Sequence, residues 1–213
     1  MNVVGRRSTG IMLLVGLLAS GCGGAGQTLY LDTIPKTPPA QMVAPEGVKI
    51  VVEPFEDRRV DKTRVGMRSH LWGGVTYFDV TGQKVGEMYA QALADRLKTR
   101  GWQDRAWSVR VGQAGTAADA DIVITGQILD FTANAKSRVF STALSTSSKL
   151  TVSAKNKSDQ STTTRTIEGA QTDTVFWYND DDVKELLTAT VKETINRYVE
   201  DTTVSQRAIR PGR

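Results

Sequence analysis

The chain has 213 residues, of which 39% are hydrophobic and 23% charged, and its net charge at neutral pH is +4. This composition is typical of one globular domain, and the sequence contains no run of five like charges, which excludes the basic arm or face of a nucleic-acid-binding protein. One cysteine, Cys22, and one histidine, His70, exclude an internal disulfide and a zinc site built from cysteine and histidine ligands.

The N-terminus predicts export. Two arginines precede an apolar run over residues 11–18, and small residues lead to Gly21 and Cys22. This order is typical of a secretory signal over residues 1–21, and the apolar run is too short to be a stable transmembrane helix. Small residues before a cysteine resemble the lipobox of bacterial lipoproteins. That resemblance implies cleavage between Gly21 and Cys22 and attachment of diacylglycerol and an acyl chain such as palmitate to Cys22. The alternative is an ordinary export signal that contains a cysteine.

Lipidation would make the mature protein a membrane-anchored domain, because two or more acyl chains anchor a protein stably in a bilayer. In lipoproteins an aspartate after the cysteine favours the inner membrane, whereas Gly23 and Gly24 follow here. The resemblance therefore implies the outer membrane of the cell envelope, with the protein facing the periplasm. Residues 22–46 are rich in glycine and proline and predict a tether, although residues 28–31 could instead pack on the domain as a strand.

The remaining elements predict one domain over residues 47–205, followed by a tail over 206–213. A short apolar run over 48–53 predicts a buried strand, and 75–78 a second short strand. Helical spacing of apolar residues from Val85 to Leu97, with Gly101 as cap, predicts an amphipathic helix.

Three further strands are predicted over residues 121–129, about 138–155 and 161–175, the last two with alternating polar positions and a turn at 156–159. An apolar stripe from Val183 to Val199 predicts a final helix. The fold class is therefore α+β, a two-layer domain in which two helices cover a mainly antiparallel sheet of about 4–5 strands, in the order strand, helix, strands, helix.

No catalytic constellation is evident, and we predict neither an enzyme nor a cofactor or metal site. His70 lacks the motif of an activated serine, and Asp180–Asp182 are explained by helix capping. The carboxylates Glu53, Glu56 and Asp57 leave one alternative, a general acid and base acting on cell-wall glycan. Their neighbours Arg58 and Arg59 offer ion pairing as the other explanation.

Aromatic side chains are grouped next to the predicted helices. Such residues are enriched in the centres of protein interfaces, and the alternative is that they close the core at the helix ends. The predicted partner surface comprises Trp72, Tyr77, Phe176, Trp177 and Tyr178.

Together these segments resemble the YajG-like family of uncharacterised outer-membrane lipoproteins. The resemblance rests on the lipobox, the tether and, in order, residues 56–59, 97–102, 120–124, 150–154, 167–170 and 200–202. It implies an α+β lipoprotein without an established activity, in which Cys22 is the one residue whose role carries over.

The sequence thus predicts a non-catalytic, membrane-anchored envelope lipoprotein, an accessory subunit that binds an unknown periplasmic or outer-membrane protein. The alternative is a cell-wall protein that cleaves glycan or binds peptidoglycan through its strands rich in serine and threonine. A homodimer paired through a polar edge strand is a further possibility.

Overall fold

The structure, a computed structural model, describes residues 27–30, 47–81, 84–102, 105, 107–113 and 119–212. Cys22, the predicted cleavage site after Gly21 and most of the predicted tether lie outside the described residues. The helices are α1 (Val85–Arg100) and α2 (Asp180–Glu200). The strands are β1 (Gln27–Tyr30), β2 (Lys49–Val52), β3 (Glu56–Asp57), β4 (Arg64–Ser69), β5 (Val75–Asp79), β6 (Ser108–Val111), β7 (Ile122–Arg138), β8 (Ser141–Asn156), β9 (Thr162–Val175), β10 (Thr202–Ser205) and β11 (Ala208–Pro211).

The long strand β7 is the axis of a nine-stranded mixed sheet. On one side it pairs along its length with β8, which pairs with β9, and both pairings are antiparallel. On its other side β2, β3 and β4 follow one another end to end, each parallel to β7. Strand β6 flanks β2, while β5 and then β1 flank β4. The sheet is therefore forked, with one wing built on β2 and another on β4.

Both helices pack on the same face of the sheet. In β8 the even-numbered residues are buried, and two of them bond to the helices. The hydroxyl of Tyr89 in α1 lies 2.7 Å from Ser148 Oγ, and that of Thr190 in α2 lies 2.5 Å from Thr146 Oγ1. The other face of the sheet, here named the open face, carries the odd-numbered residues of β8 and has no helix over it among the described residues.

The α+β class and the two helices are confirmed, but the predicted sheet is too small, and the structure adds parallel strands to its antiparallel part. The structure has nine strands in this sheet rather than four or five, and β2, β3 and β4 run parallel to β7. The missed strands are short: β3 has two residues and β6 has four. Parallel pairing joins segments far apart in sequence, here through the crossover helix α1, and strand periodicity does not encode which segments will meet.

The two ends of the domain contribute strands. Of the two alternatives for residues 28–31, the structure shows a strand as far as residue 30, because β1 pairs with β5. Within the segment expected to be a tail, β11 pairs with β10 and buries Ala208 and Ile209. Among the described residues, neither helix is long and apolar enough to cross a bilayer.

Candidate functional site: the loop end of the sheet

Three connections meet at one end of the sheet. They join β4 to β5 (residues 70–74), β7 to β8 (residues 139–140) and β9 to α2 (residues 176–179), and we name this region the loop end. Strand β4 ends at Ser69, which pairs with Lys136 of β7. Strand β9 ends at Val175, which pairs with Thr142 of β8, and Thr142 in turn pairs with Ser137 of β7. Strand β7 itself ends at Arg138. The strands therefore stop within two residues of one another along β7, about 7 Å at the rise of a strand.

The loop end carries most of the exposed large apolar side chains of the described residues. Nine such side chains are exposed by more than a third, and the three that lie elsewhere are Val60, Met67 and Leu129. The other six belong to the loop end: Leu71, Trp72, Val139, Phe140, Phe176 and Trp177. Trp72 is 95% exposed, Trp177 92% and Phe140 86%. This concentration differs from the ordinary case, in which exposed apolar residues are scattered singly over a protein surface.

Local backbone geometry holds these side chains outward. Phe140 closes a two-residue turn with φ of 65°, in the left-handed region. In the next connection the amide of His70 donates to the carbonyl of Gly74 at 3.2 Å, and Gly73 and Gly74 have φ of 89° and 86°. Glycine supplies these angles without strain. The turns are tight, so their apolar side chains project from the sheet instead of folding back onto it.

The third connection is fixed by a cap and a stacked pair. The backbone amide of Asn179 donates to Asp182 Oδ2 at 2.7 Å, which completes a capping box at the start of α2. The guanidinium of Arg68 lies 3.8 Å from the centre of the Tyr178 ring. Burial raises the pKa of the Tyr178 hydroxyl, and the charge of Asp180 adds to that effect. Tyr178 thus ties the connection to β4 and leaves the two preceding aromatics in solvent.

The structure brings together three of the five residues predicted as a partner surface: Trp72, Phe176 and Trp177 all lie at the loop end. Tyr178 lies behind them and is half-buried. Tyr77 lies away from them in β5, where it lines a groove of about 450 Å³ beside Arg64, whose guanidinium is 4.1 Å from its ring centre.

Sequence reasoning missed Leu71, Val139 and Phe140. The signal was present in Val139 and Phe140, because two adjacent large apolar residues between polar alternating segments cannot both face the core of one strand. The strand predicted over about 138–155 contains both residues and therefore does not predict their exposure.

Two of the three carboxylates predicted as a general acid and base, those of Glu56 and Asp57, are ion-paired in the structure. Glu56 Oε2 lies 2.9 Å from Arg58 Nε, and Asp57 Oδ2 lies 2.8 Å from Arg59 Nη2. Burial raises the pKa of Asp57, but the hydrogen bonds and charge of Arg59 outweigh it and leave that pKa below its ordinary value. A general acid needs the opposite shift, so these contacts give the glycan-cleavage hypothesis no support.

The remaining polar candidates have structural contacts. His70 Nε2 lies 2.8 Å from Thr76 Oγ1 across the β4–β5 connection. In the part of the chain that the structure describes, no three residues among histidine, cysteine, aspartate and glutamate lie close enough together to hold a metal ion.

No protein-family model matches the sequence, and none of the curated proteins does. Solved structures with similarity include a DUF330-family protein from Xanthomonas campestris, with 11% identity, 81% of this chain and 95% of that chain covered, and a TM-score of 0.46. A neuraminyllactose-binding hemagglutinin homolog from Helicobacter pylori has 10% identity, coverage of 84% and 94%, and a TM-score of 0.46. A lipoprotein from Neisseria meningitidis has 10% identity, coverage of 70% and 99%, and a TM-score of 0.34. Because every TM-score is below 0.5, we derive neither fold nor function from these likenesses, and membership of the YajG-like family stays a prediction.

Proposed function

We propose that the protein is a non-catalytic envelope lipoprotein, anchored through Cys22 in the outer membrane and facing the periplasm, that acts as an accessory binding subunit. The observation that carries the proposal is the loop end, where six exposed apolar side chains from three connections share one end of the sheet. Leaving side chains of this size in water forgoes about 1.5–3 kcal/mol each, which is recovered when a binding partner covers them.

The anchor is tested by metabolic labelling with an alkyne analogue of palmitate. We expect the native protein to incorporate the label and to fractionate with the outer membrane. A Cys22→Ser variant should take up none and should be released with the periplasmic contents. Equal labelling of both forms, or a native protein that is exported but unlabelled, would contradict lipidation at Cys22.

The binding surface is tested by placing a photo-crosslinking amino acid at Trp177 in living cells. A matched probe at Thr166, an exposed residue on the open face, serves as the control. We expect adducts with an envelope component at position 177 and far fewer at position 166. Equal yields at the two positions would show that the loop end is not a preferred contact surface.

The open face is the surface that a second candidate function would use. Its hydroxyl groups form cross-strand pairs, with Thr151 Oγ1 3.0 Å from Thr166 Oγ1 and Ser153 Oγ 2.9 Å from Thr164 Oγ1. A flat polar face of this kind would present hydroxyls to a glycan strand. Sedimentation with purified sacculi tests this function. Co-sedimentation of the native protein that is lost in a Thr151→Val, Thr164→Val variant would favour peptidoglycan binding. A native protein that does not co-sediment would contradict it.

A further inference from the structure

We propose that the loop end seats in the headgroup region of the same membrane that holds Cys22, so that the domain is held by its lipid and by three inserted turns. The inference rests on the proposed function, since it requires Cys22 to be acylated. It names the occupant of the loop end as the lipid bilayer.

The direction of β1 places the anchor at the loop end. Gln27, its first residue, pairs with Thr76, and Thr76 pairs with Arg68, one residue before the end of β4. Strand β1 runs parallel to β5, which starts at the loop end and runs away from it. The chain that precedes Gln27 therefore joins the sheet from the loop end.

The distance to the anchor is short. Cys22 is five residues before Gln27, and five residues span at most about 18 Å when fully extended. Strand β7 alone has 17 residues and is about 53 Å long. A lipid on Cys22 consequently keeps Gln27, near the loop end, within about 18 Å of the bilayer, whereas the opposite end of the sheet can lie a further strand length away.

The form of the surface matches a bilayer better than a protein pocket. Trp72, Phe140 and Trp177 lie on three separate connections, and each is almost fully exposed. Between β4 and β9 lie three strand spacings, about 14 Å, so the tips are spread over a broad area. Tryptophan favours the headgroup region, because its ring system is largely apolar and carries one polar N–H group. A bilayer can admit separated tips without a preformed complementary shape.

Charge at the loop end has both signs. Lys136 and Arg138 are exposed on β7. Asp173 is exposed on β9, and Asp180 and Asp181 are exposed in the first turn of α2, where Asp181 pairs with Lys184. Anionic lipid would therefore attract one side and repel the other. We expect the seating to depend on apolar insertion and to occur on zwitterionic vesicles. Binding should change little between about 0.05 and 0.5 M salt, because added salt screens interactions between charges, over about 10 Å at 0.1 M, and does not weaken apolar insertion.

A domain seated in this way would stand with its strands along the membrane normal. The open face and the outer strand β9 would then stay outside the bilayer. In that arrangement the lipid fixes the protein at the membrane and the three turns fix the orientation of its exposed surfaces.

The test is quenching of tryptophan fluorescence by brominated lipid. The purified full-length lipidated protein is reconstituted in vesicles of phosphatidylethanolamine and phosphatidylcholine, with and without phosphatidylcholine brominated in its acyl chains. Of the four tryptophans, Trp72 and Trp177 are at the loop end and Trp102 is buried. We expect quenching and a blue shift in the native protein, and loss of most of the quenching in a Trp72→Phe, Trp177→Phe variant.

The matched control moves the fluorophore to the opposite end of the sheet. Ser158→Trp, introduced into the Trp72→Phe, Trp177→Phe background, places an exposed tryptophan in the β8–β9 turn. We expect brominated lipid to leave this tryptophan unquenched. Quenching equal to that of the native protein would overturn the proposed orientation.

Mass spectrometry of the same sample separates the two proposals. If Cys22 is acylated and the native protein is vesicle-bound but unquenched, the anchor stands and the seating is wrong. That result, together with crosslinks from position 177 to a protein, would assign the loop end to a protein partner. If Cys22 carries no acyl chain, the proposed anchor fails and the seating fails with it.

Discussion

The guanidinium of Arg59 donates to both carboxylate oxygens of Asp57, with Nε 3.0 Å from Oδ1 and Nη2 2.8 Å from Oδ2. The pair lies where the two wings of the sheet separate, between β3 and β4. The Arg59 side chain is buried, donates further to the carbonyl of Lys62 and lies 5.8 Å from the centre of the Phe131 ring. This contact joins the end of β3 to the segment that leads into β4, and each acidic residue of the segment 56–59 pairs with the basic residue two positions later.

Replacing Arg59 with methionine should lower the free energy of unfolding by about 3–5 kcal/mol, because the Asp57 carboxylate would remain partly buried without a partner. Urea denaturation measures the change. Arg58→Met is the control, since the Glu56–Arg58 pair is exposed and should contribute less than about 1 kcal/mol. An Arg59→Met, Asp57→Asn double variant should regain part of the loss. Equal effects of Arg58→Met and Arg59→Met would rule out the structural role given to the buried pair.

Acid should destabilise the domain between about pH 4 and pH 2. The hydroxyl and amide of Ser161, followed by the Arg210 guanidinium, lower the pKa of Asp159 to about 2, and Arg59 lowers that of Asp57. A carboxyl with a lower pKa in the folded state adds stability above its unfolded pKa, and this stability is lost as pH falls through the folded value. Urea denaturation at a series of pH values measures the slope. An Asp159→Asn variant should lose less stability over this interval, and an identical loss would contradict the assignment.

Tryptophans at the loop end should be dispensable for folding. Trp72 and Trp177 are almost fully exposed, so Trp72→Ala and Trp177→Ala should each change the free energy of unfolding by less than about 0.5 kcal/mol. Trp102→Ala is the contrasting variant, because Trp102 is buried and its Nε1 donates to Thr202 Oγ1 at 3.0 Å. It should cost about 3–5 kcal/mol. Thermal unfolding of the three variants separates surface from core, and strong destabilisation by Trp177→Ala would place that residue in the core.

Glycine at position 169 should be required for packing of α2 on β9. A Cβ at this position would lie 2.3 Å from Thr194 Oγ1 and 3.2 Å from the carbonyl oxygen of Thr190. Gly169→Ala should therefore destabilise the domain by about 1–3 kcal/mol, the usual cost of overpacking. Thr172→Ala, on the exposed face of the same strand, is the control. If urea denaturation gives the same free energy of unfolding for Gly169→Ala as for the native protein, α2 can move away from β9 without loss of stability.

The C-terminal hairpin should depend on one buried amide. Asn156 accepts a hydrogen bond from the amide of Ile209 at 2.8 Å and donates to the carbonyl of the same residue at 3.1 Å. Asn156→Ala would leave both groups without these partners, so we expect a loss of about 2–3 kcal/mol. Hydrogen exchange should then show faster exchange of the Ile209 amide, while Gln160→Ala in the adjacent turn should not change it.

The elements that sequence predicted well are those whose own side chains carry the signal. The stripe from Val183 to Val199 fixes α2, and alternation around Leu150 and Val152 marks β8. Gly101 caps α1 as predicted, although its φ is −49° and glycine is needed there because a Cβ would meet the Trp107 ring.

Elements defined by long-range pairing were not predictable in this way. Strand β4 interrupts a charged segment, and its pairing with residues 133–136 of β7 depends on the bulge after Ile128, which changes the buried positions from even to odd. The loop end has the same origin. Trp72 and Trp177 are 105 positions apart in sequence (177 − 72), and only the register of four strands brings their connections to one level.

The forked sheet also sets an order of assembly. Strands β7, β8 and β9 form two successive hairpins with short connections, whereas Val52 pairs with Ile124 and Met67 with Asn134, each about seventy positions away. Closing such long loops costs entropy before the contacts form, so we expect the three-stranded meander to form early and the two wings to dock onto β7 later. Two of the three turns at the loop end belong to the early part. The connection that carries Trp72 belongs to the wing built on β4, so we expect the loop end to be complete only after the long-range pairings have formed.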